Sequence, residues 1–256
     1  METTNSRIIH IAETDSTNSD AMRLALKDEL LPLWVIADRQ TAGRGRSGRS
    51  WISHPGNLCA SLAFCCAAPL EKASQLSLIA GIALFDAIRS NTELAPDARL
   101  RLKWPNDVLI GNAKTGGILV ESTTARGSPG FLSILGFGLN IATSPDDLGR
   151  AATAVGRHGS APAPLVLLKA LDEQLCLWLA RWDAGANFSA IRQAWIERAG
   201  PVGEAITVNT VEGPVSGTYR GLSETGALCA EVDGVMREFS HGDVAIGGVA
   251  AHDGAA

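Results

Sequence analysis

Two stretches hold residues whose types and spacing can do chemistry. Gln40 to Trp51 reads Q-T-A-G-R-G-R-S-G-R-S-W, with Gly43, Gly45 and Gly48 alternating with Arg44, Arg46 and Arg49. Glycine takes positive φ without steric cost, so such a run bends freely and brings backbone N–H groups close to a ligand. Successive N–H groups form anion-binding concavities, and each arginine adds a permanent cation with a planar donor fork. That is the chemistry of a lid over a phosphate or carboxylate. From these residues alone, a solvated Arg/Gly loop, or one that binds RNA loosely, fits equally. The second stretch is Lys103-Trp104-Pro105-Asn106-Asp107, followed by Lys114 and then Gly116-Gly117. Lysine is a point cation with rotatable donors, suited to a phosphate or a developing oxyanion. Asp107 either holds Mg²⁺ or positions Lys103. Taken singly, each lysine is equally a solvated turn residue.

Composition narrows the class. A net charge of −5 over 256 residues argues against a general binder of nucleic acid or membrane surface, because non-specific phosphate binding needs a basic face. Lysine is scarce, and two of the five (Lys103 and Lys114) lie close together in mid-chain. Cys59, Cys65, Cys66, Cys176 and Cys229 are odd in number, lack C-x-x-C spacing and sit in apolar runs. Buried, reduced thiols in a cytoplasmic protein are therefore expected. The histidines are scattered singly and suggest no metal site. The N-terminus lacks a signal-peptide pattern, and no apolar run approaches ~18 residues, so no membrane association is expected. No P-loop, no G-x-G-x-x-G after a first strand and no G-x-S-x-G elbow occurs. What remains is a nucleotide enzyme outside the P-loop and Rossmann types.

The elements that must position these residues follow from periodicity. A strand at Arg7–Ile11 leads to the polar cluster Glu13–Asn18 and a helical pattern through Met22, Leu24, Leu26 and Leu30, with Asp15, Ser16 or Thr17 as cap. Trp34–Ala37 is a strand that delivers Gln40 into the glycine–arginine loop. Asn57–Cys66 is a strand buried on both faces, and Leu70–Ile88 a core helix. Short strands follow at Leu100–Lys103, Asp107–Ile110 and Gly117–Glu121, then a buried strand at Phe131–Leu139. If the three short strands form an antiparallel meander, Lys103 and Lys114 approach one ligand from neighbouring connections. Residues 144–164 read as a surface loop, and Leu165–Trp182 and Ala186–Arg198 as amphipathic helices. After Gly200-Pro201, five short strands between Ala205 and Ile246 with glycine turns suggest a small SH3-sized barrel. The expectation is an α+β fold: a mixed, largely antiparallel sheet packed with helices over residues 1–200, an SH3-like barrel at 201–247, and a disordered tail at 248–256.

Five motifs in this order resemble the biotin–protein ligase family: Ser16-Thr17-Asn18, the Gln40–Trp51 loop, Lys103–Asp107, Lys114-Thr115-Gly116-Gly117-Ile118-Leu119, and Gly136-Phe137-Gly138-Leu139-Asn140. The match runs from about residue 8 to 247, with Arg220-Gly221-Leu222 and Gly226-Ala227-Leu228 fitting the family's C-terminal barrel. The resemblance implies a class II synthetase-like catalytic domain that makes biotinyl-5′-AMP from biotin and Mg²⁺-ATP, then passes biotin to one lysine of a biotin carboxyl carrier domain. It implies that Arg46, Lys103 and Lys114 are catalytic. Ser16, Thr17, Asn18, Gln40, Arg44, Gly45, Arg46 and Lys114 would bind biotin. Arg44, Arg49, Trp51, Lys103, Asn106, Asp107, Asn140 and Arg220 would bind ATP or the adenylate, with Asp107 as the Mg²⁺ ligand. Ser223 stands where family members often carry an acidic residue. The catalytic pattern begins within about ten residues of Met1, so no DNA binding and no repressor role are expected, whereas a homodimer is compatible. The rival readings are a lipoate or octanoate ligase or transferase of related fold, and a non-catalytic biotin sensor.

Overall fold

The computed structural model describes residues 6–27, 30–124, 130–145 and 151–247. The expected disordered tail, 248–256, lies outside them. The catalytic part contains β1 (Arg7–Thr14), α1 (Thr17–Ala25), β2 (Leu33–Gln40), β3 (Leu58–Cys66), α2 (Gln75–Asn91) and the short β4 (Glu93–Leu94). It continues with β5 (Leu100–Lys103), β6 (Asp107–Ile110), β7 (Ala113–Thr124), β8 (Phe131–Leu139), the short β9 (Gly159–Ser160), α3 (Pro164–Trp182) and α4 (Phe188–Arg198). Seven strands form one sheet in the order β1-β2-β3-β8-β7-β6-β5, parallel at β1–β2 and antiparallel elsewhere. Strands β10 (Ala205–Thr210), β11 (Gly213–Leu222), β12 (Leu228–Val232), β13 (Val235–Phe239) and β14 (Asp243–Ile246) make a separate antiparallel sheet, the SH3-like unit.

Side chains alternate across a strand, and here each face of the large sheet has its own cover. Trp34, Ile36, Ala60, Leu62, Leu135 and Phe137 join the main core with α2, α3 and α4. Val35, Ala63, Leu132 and Ile134 point the other way and pack under Ala21 of α1. Helix α1 is short, and beyond it the second face is open. The candidate site lies on that uncovered face.

Several boundaries differ from the sequence reading. Helix α1 stops at Ala25, and Leu26 and Leu30 are exposed, so their apolar spacing has no surface to bury against. Strand β7 runs well beyond 117–121, because all of it from Gly116 to Thr124 pairs along β8. The expected helix at 70–88 is a 3₁₀ turn at 70–72 followed by α2. The stretch expected as a surface loop buries Thr153, Ala154 and Val155, since Lys114 N–H donates to Ala151 O and Thr153 N–H to Lys114 O. The five thiols are free, but only Cys59 and Cys66 are buried. Cys65 is exposed because neighbours on a strand point to opposite faces.

Candidate active site

The floor of the open face is made of positions two apart. On β3, Cys59 and Ser61 share it with Ala63; on β8, Gly136 and Gly138 share it with Ile134; on β7, Gly117 shares it with Leu119 and Glu121. Three of these are glycines, so the sheet offers backbone where side chains would otherwise stand. The space is occupied from above: a Cβ on Gly136 would lie 2.1 Å from Asn18 Oδ1, and one on Gly138 2.3 Å from the Trp51 ring. A Cβ on Gly117 would meet Lys114 Nζ at 3.0 Å. The resulting pocket is narrow, lying between the glycine floor and the side chains above it.

One end of the pocket is a row of neutral hydrogen-bonding groups. Ser16 is the N-cap of α1, but its hydroxyl makes no capping bond, contrary to the simple cap reading; Asp15 Oδ1 instead accepts from the Ser16 N–H at 2.7 Å. Thr17 donates from N (2.8 Å) and from Oγ1 (3.0 Å) to Gln40 Oε1. Ser61 Oγ, fully buried, is hydrogen-bonded to Thr17 Oγ1 (2.7 Å) and to Asn18 Oδ1 (2.6 Å), where the amide oxygen can only accept. Beneath Gln40, Ser53 Oγ accepts from the Gln40 N–H at 3.1 Å and touches Cys59 Sγ at 3.1 Å. Burial pushes the Cys59 thiol pKa up, against smaller opposing hydrogen bonds from Ser53, Trp51 and Gln40, so the thiol stays protonated.

The other end is cationic. Asp107 is buried on β6 and holds two lysines: Lys103 Nζ at 2.9 Å and Lys114 Nζ in direct contact. The antiparallel β5–β6–β7 meander is what brings Lys103 and Lys114 to one carboxylate. Burial raises the Asp107 pKa, but the two lysine charges and their hydrogen bonds outweigh it and hold the carboxyl below its ordinary range. Lys114 Nζ also lies 5.7 Å from the Trp51 ring centre. With both oxygens engaged by ammonium groups, Asp107 is not placed to hold Mg²⁺, and no cluster of three His, Cys, Asp or Glu side chains exists among the described residues. The sequence reading left two roles for this residue, and the geometry takes the positioning one.

The glycine–arginine loop closes the third side. Gly45 N–H donates to Arg49 O (2.6 Å) and Trp51 N–H to Gly43 O (2.8 Å), which folds the loop back on itself. Gly43 sits so close to Trp51 O that a Cβ would lie 2.5 Å from it. Arg46 donates to Asn106 Oδ1 at 3.1 Å. Arg49 pairs with Asp243 of the small sheet at 2.8 Å, and Arg46 lies 3.8 Å from the same carboxylate. Arg44 pairs with Glu121 at 3.1 Å.

Ser16, Thr17, Asn18, Gln40, Arg44, Gly45, Arg46, Arg49, Trp51, Asn106, Asp107 and Lys114 all line this pocket. Lys103 joins it only through Asp107, and its ammonium also donates to Val244 O at 2.8 Å. Asn140 lines a smaller adjoining pocket with Trp51, Ile52 and Lys114, where its buried Oδ1 has no protein partner. Arg220 is not brought in. It lies beside a β-bulge between β11 and β12 and pairs with its cross-strand neighbour Glu231 at 2.8 Å. Sequence reasoning missed Ser61, Glu121 and Asp243. The one signal for Ser61 was a hydroxyl in an otherwise apolar strand; the other two are charged strand residues, Glu121 within β7 and Asp243 at the start of β14, which spacing alone does not single out.

Comparison with known proteins gives the family. Residues 10–140 match the model of the biotin/lipoate A/B protein ligase family, and residues 202–247 match the biotin protein ligase C-terminal domain. A biotin–[acetyl-CoA-carboxylase] ligase of Paracoccus denitrificans is 37% identical over 227 residues, covering 85% of this chain and 91% of the relative. A biotin protein ligase from Aquifex aeolicus, solved with biotin and ATP, superposes with a TM-score of 0.77 at 26% identity, over 94% of this chain and 98% of that one. The Leishmania major ligase solved with biotinyl-5-AMP gives 0.63 at 25% identity, over 93% and 100%.

Proposed function

The chain belongs to the biotin/lipoate A/B protein ligase family as a biotin protein ligase, and on that premise we propose that it makes biotinyl-5′-AMP and passes biotin to one lysine of a carboxyl carrier domain. The observation that carries the reading is the division of the pocket into a neutral end (Thr17, Asn18, Gln40) and a cationic end (Lys103, Lys114, Arg46) across a floor without side chains. A ureido ring needs paired donors and acceptors, and a carboxylate meeting a triphosphate needs cations.

In the first step a biotin carboxylate oxygen attacks the α-phosphorus. The new O–P bond forms as the bond to pyrophosphate breaks, and both electrons leave with the pyrophosphate. Lys114, Lys103 and Arg46 supply fixed positive charge where negative charge develops, at no reorganisation cost once Asp107 has set the lysines. Asn140 Oδ1, buried and without a protein partner, suits the exocyclic amine of adenine beside the Trp51 ring. Mg²⁺ accompanies ATP as the counter-ion of its phosphates; Asp107 does not fit as its ligand. In the second step the acceptor amine attacks the acyl carbon, AMP leaves with the bonding pair, and the amine's proton passes to solvent. No enzyme nucleophile is required. The loop over the mixed anhydride keeps water from intercepting it.

The reading places the reaction in the cytoplasm, consistent with five free thiols. It includes no operator-binding role, on the strength of the acidic balance of the chain. Specific, biotinyl-AMP-dependent retardation of a biotin-operon promoter would overturn that part. The central test is biotin-dependent exchange of labelled pyrophosphate into ATP, with lipoate and octanoate in parallel. Exchange with biotin alone is expected. Exchange with lipoate instead would change the acid, and none with any acid would leave a sensor.

A further inference from the structure

Glu121 does not line the pocket, yet two residues that do line it end on Glu121. Its Oε2 accepts from Asn18 Nδ2 at 2.7 Å and from the Arg44 guanidinium at 3.1 Å. An ionised carboxylate only accepts, so it turns the Asn18 amide nitrogen toward β7 and the amide oxygen toward Ser61. That oxygen takes the single proton of the Ser61 hydroxyl, so the Thr17 hydroxyl proton is left to Ser61 Oγ and Gln40 Oε1, the latter also held by the Thr17 N–H. Every bond in the row Asn18–Ser61–Thr17–Gln40 therefore has a direction, and the charge at one end sets it. Thr17, Asn18 and Ser61 are each at most 4% exposed. A misdirected amide in such a place leaves donors facing donors, at a cost water would otherwise absorb. Gly136 below permits no shift, because Asn18 Oδ1 already occupies the position of its missing Cβ.

We infer that Glu121 is a positioning residue for the acid substrate: it fixes the direction of the hydrogen-bonding row under the head-group end and holds Arg44 of the loop above it. The inference rests on the reading that the acid binds between Ser16–Asn18 and Gln40. Substituting glutamine keeps the shape but adds a donor. Asn18 Nδ2 then keeps only the long contact to Leu119 O (3.5 Å) as an unambiguous acceptor, Ser61 loses its assured acceptor, and Arg44 loses its ion pair.

The test is pyrophosphate exchange by the full chain carrying Glu121→Gln, with KM measured separately for biotin and ATP. The KM for biotin is expected to rise roughly tenfold or more, as for loss of a charge-assisted bond. The KM for ATP should rise much less, within about threefold, because Arg44 is the one nucleotide-side residue in contact with Glu121, and Asn140, Trp51 and Arg49 are not. A KM ratio does not depend on how much of the preparation is folded, so a destabilised sample still reports. If Glu121→Gln gives no folded protein, Glu121→Asp, which keeps the charge but withdraws it by one methylene, is expected to show the same split. An unchanged KM for biotin, a parallel rise in both constants, or a loss confined to kcat would overturn the inference. Failure of the wild type to exchange with biotin would instead remove the functional reading, and is seen before any variant is made.

Discussion

Asp107 holds two ammonium groups on one wall of the pocket. Lys114→Ala should slow biotin-dependent pyrophosphate exchange roughly 100-fold or more, the usual loss on removing one preorganised charge stabiliser. The thermal midpoint should also fall, because Asp107 loses one of its two ammonium partners; wild-type turnover in the folded variant would place the catalytic charge elsewhere. Asp107→Asn tests the carboxylate itself. Its folded-state pKa is depressed, so the stability it contributes is present above the unfolded value, near about 3.9, and is lost as pH falls through the folded value. Denaturant titrations should show wild type more stable than Asp107→Asn at neutral pH, with the gap closing below about pH 4. A gap independent of pH would contradict the ion-pair account. The convergence of Lys103 and Lys114 was legible in the sequence, because a meander with tight turns has few ways to fold. The choice between metal ligand and lysine anchor was not. It depends on which atoms reach the carboxylate first, and spacing does not encode that distance.

At the scale of the element, the loop and strand β8 act together. The loop is pinned through its arginines, Arg44 to Glu121 and Arg49 to Asp243, while Arg46 points inward to Asn106. Arg46→Gly should let the acyl-adenylate escape. Incubated with an unrelated lysine-rich protein, biotin and ATP, the variant should label that protein, detected by an avidin blot, where wild type does not. Labelling confined to the carrier would show that Arg46 does not retain the anhydride. Gly138→Ala should act from the floor, because its Cβ would lie 2.3 Å from the Trp51 ring. The indole must move, and the KM for ATP should rise about tenfold with a change in tryptophan emission; unaltered emission would mean the ring is not seated there. Strand β8 was predicted at its observed ends, Phe131 to Leu139, because an apolar run bounded by turn residues has one reading. The helix predicted through Leu30 failed for the opposite reason. Periodicity reports what a helix offers for burial, and at Leu26 nothing receives it.

Across the whole molecule, the small sheet is fastened to the catalytic unit at several points. Arg101 makes paired bonds to Glu204 at 2.9 and 3.0 Å, Arg192 donates to Leu222 O at 2.6 Å, and Trp104 Nε1 to Gly226 O at 3.2 Å. Glu204→Ala leaves a largely buried guanidinium without its carboxylate and should cost about 1–3 kcal/mol. It should lower the midpoint of one shared unfolding transition; a separate early transition would mean the small sheet is held loosely. The existence of this unit was legible from its alternating strands and glycine turns. Its contacts were not: the resemblance implied Arg220 from this unit, whereas Asp243 is the residue that pairs with the loop, and the docking angle that decides this is not written in spacing.

The glycine floor has a further consequence. A surface of bare backbone cannot be retooled gradually, because at Gly136 and Gly138 even a methyl group meets Asn18 or Trp51. Inheritable variation in what the enzyme accepts is thereby confined to the walls. A descendant lineage that came to charge a thicker or less polar acid would be expected to have altered Ser16, Thr17 and Gln40 while leaving the three glycines as they stand.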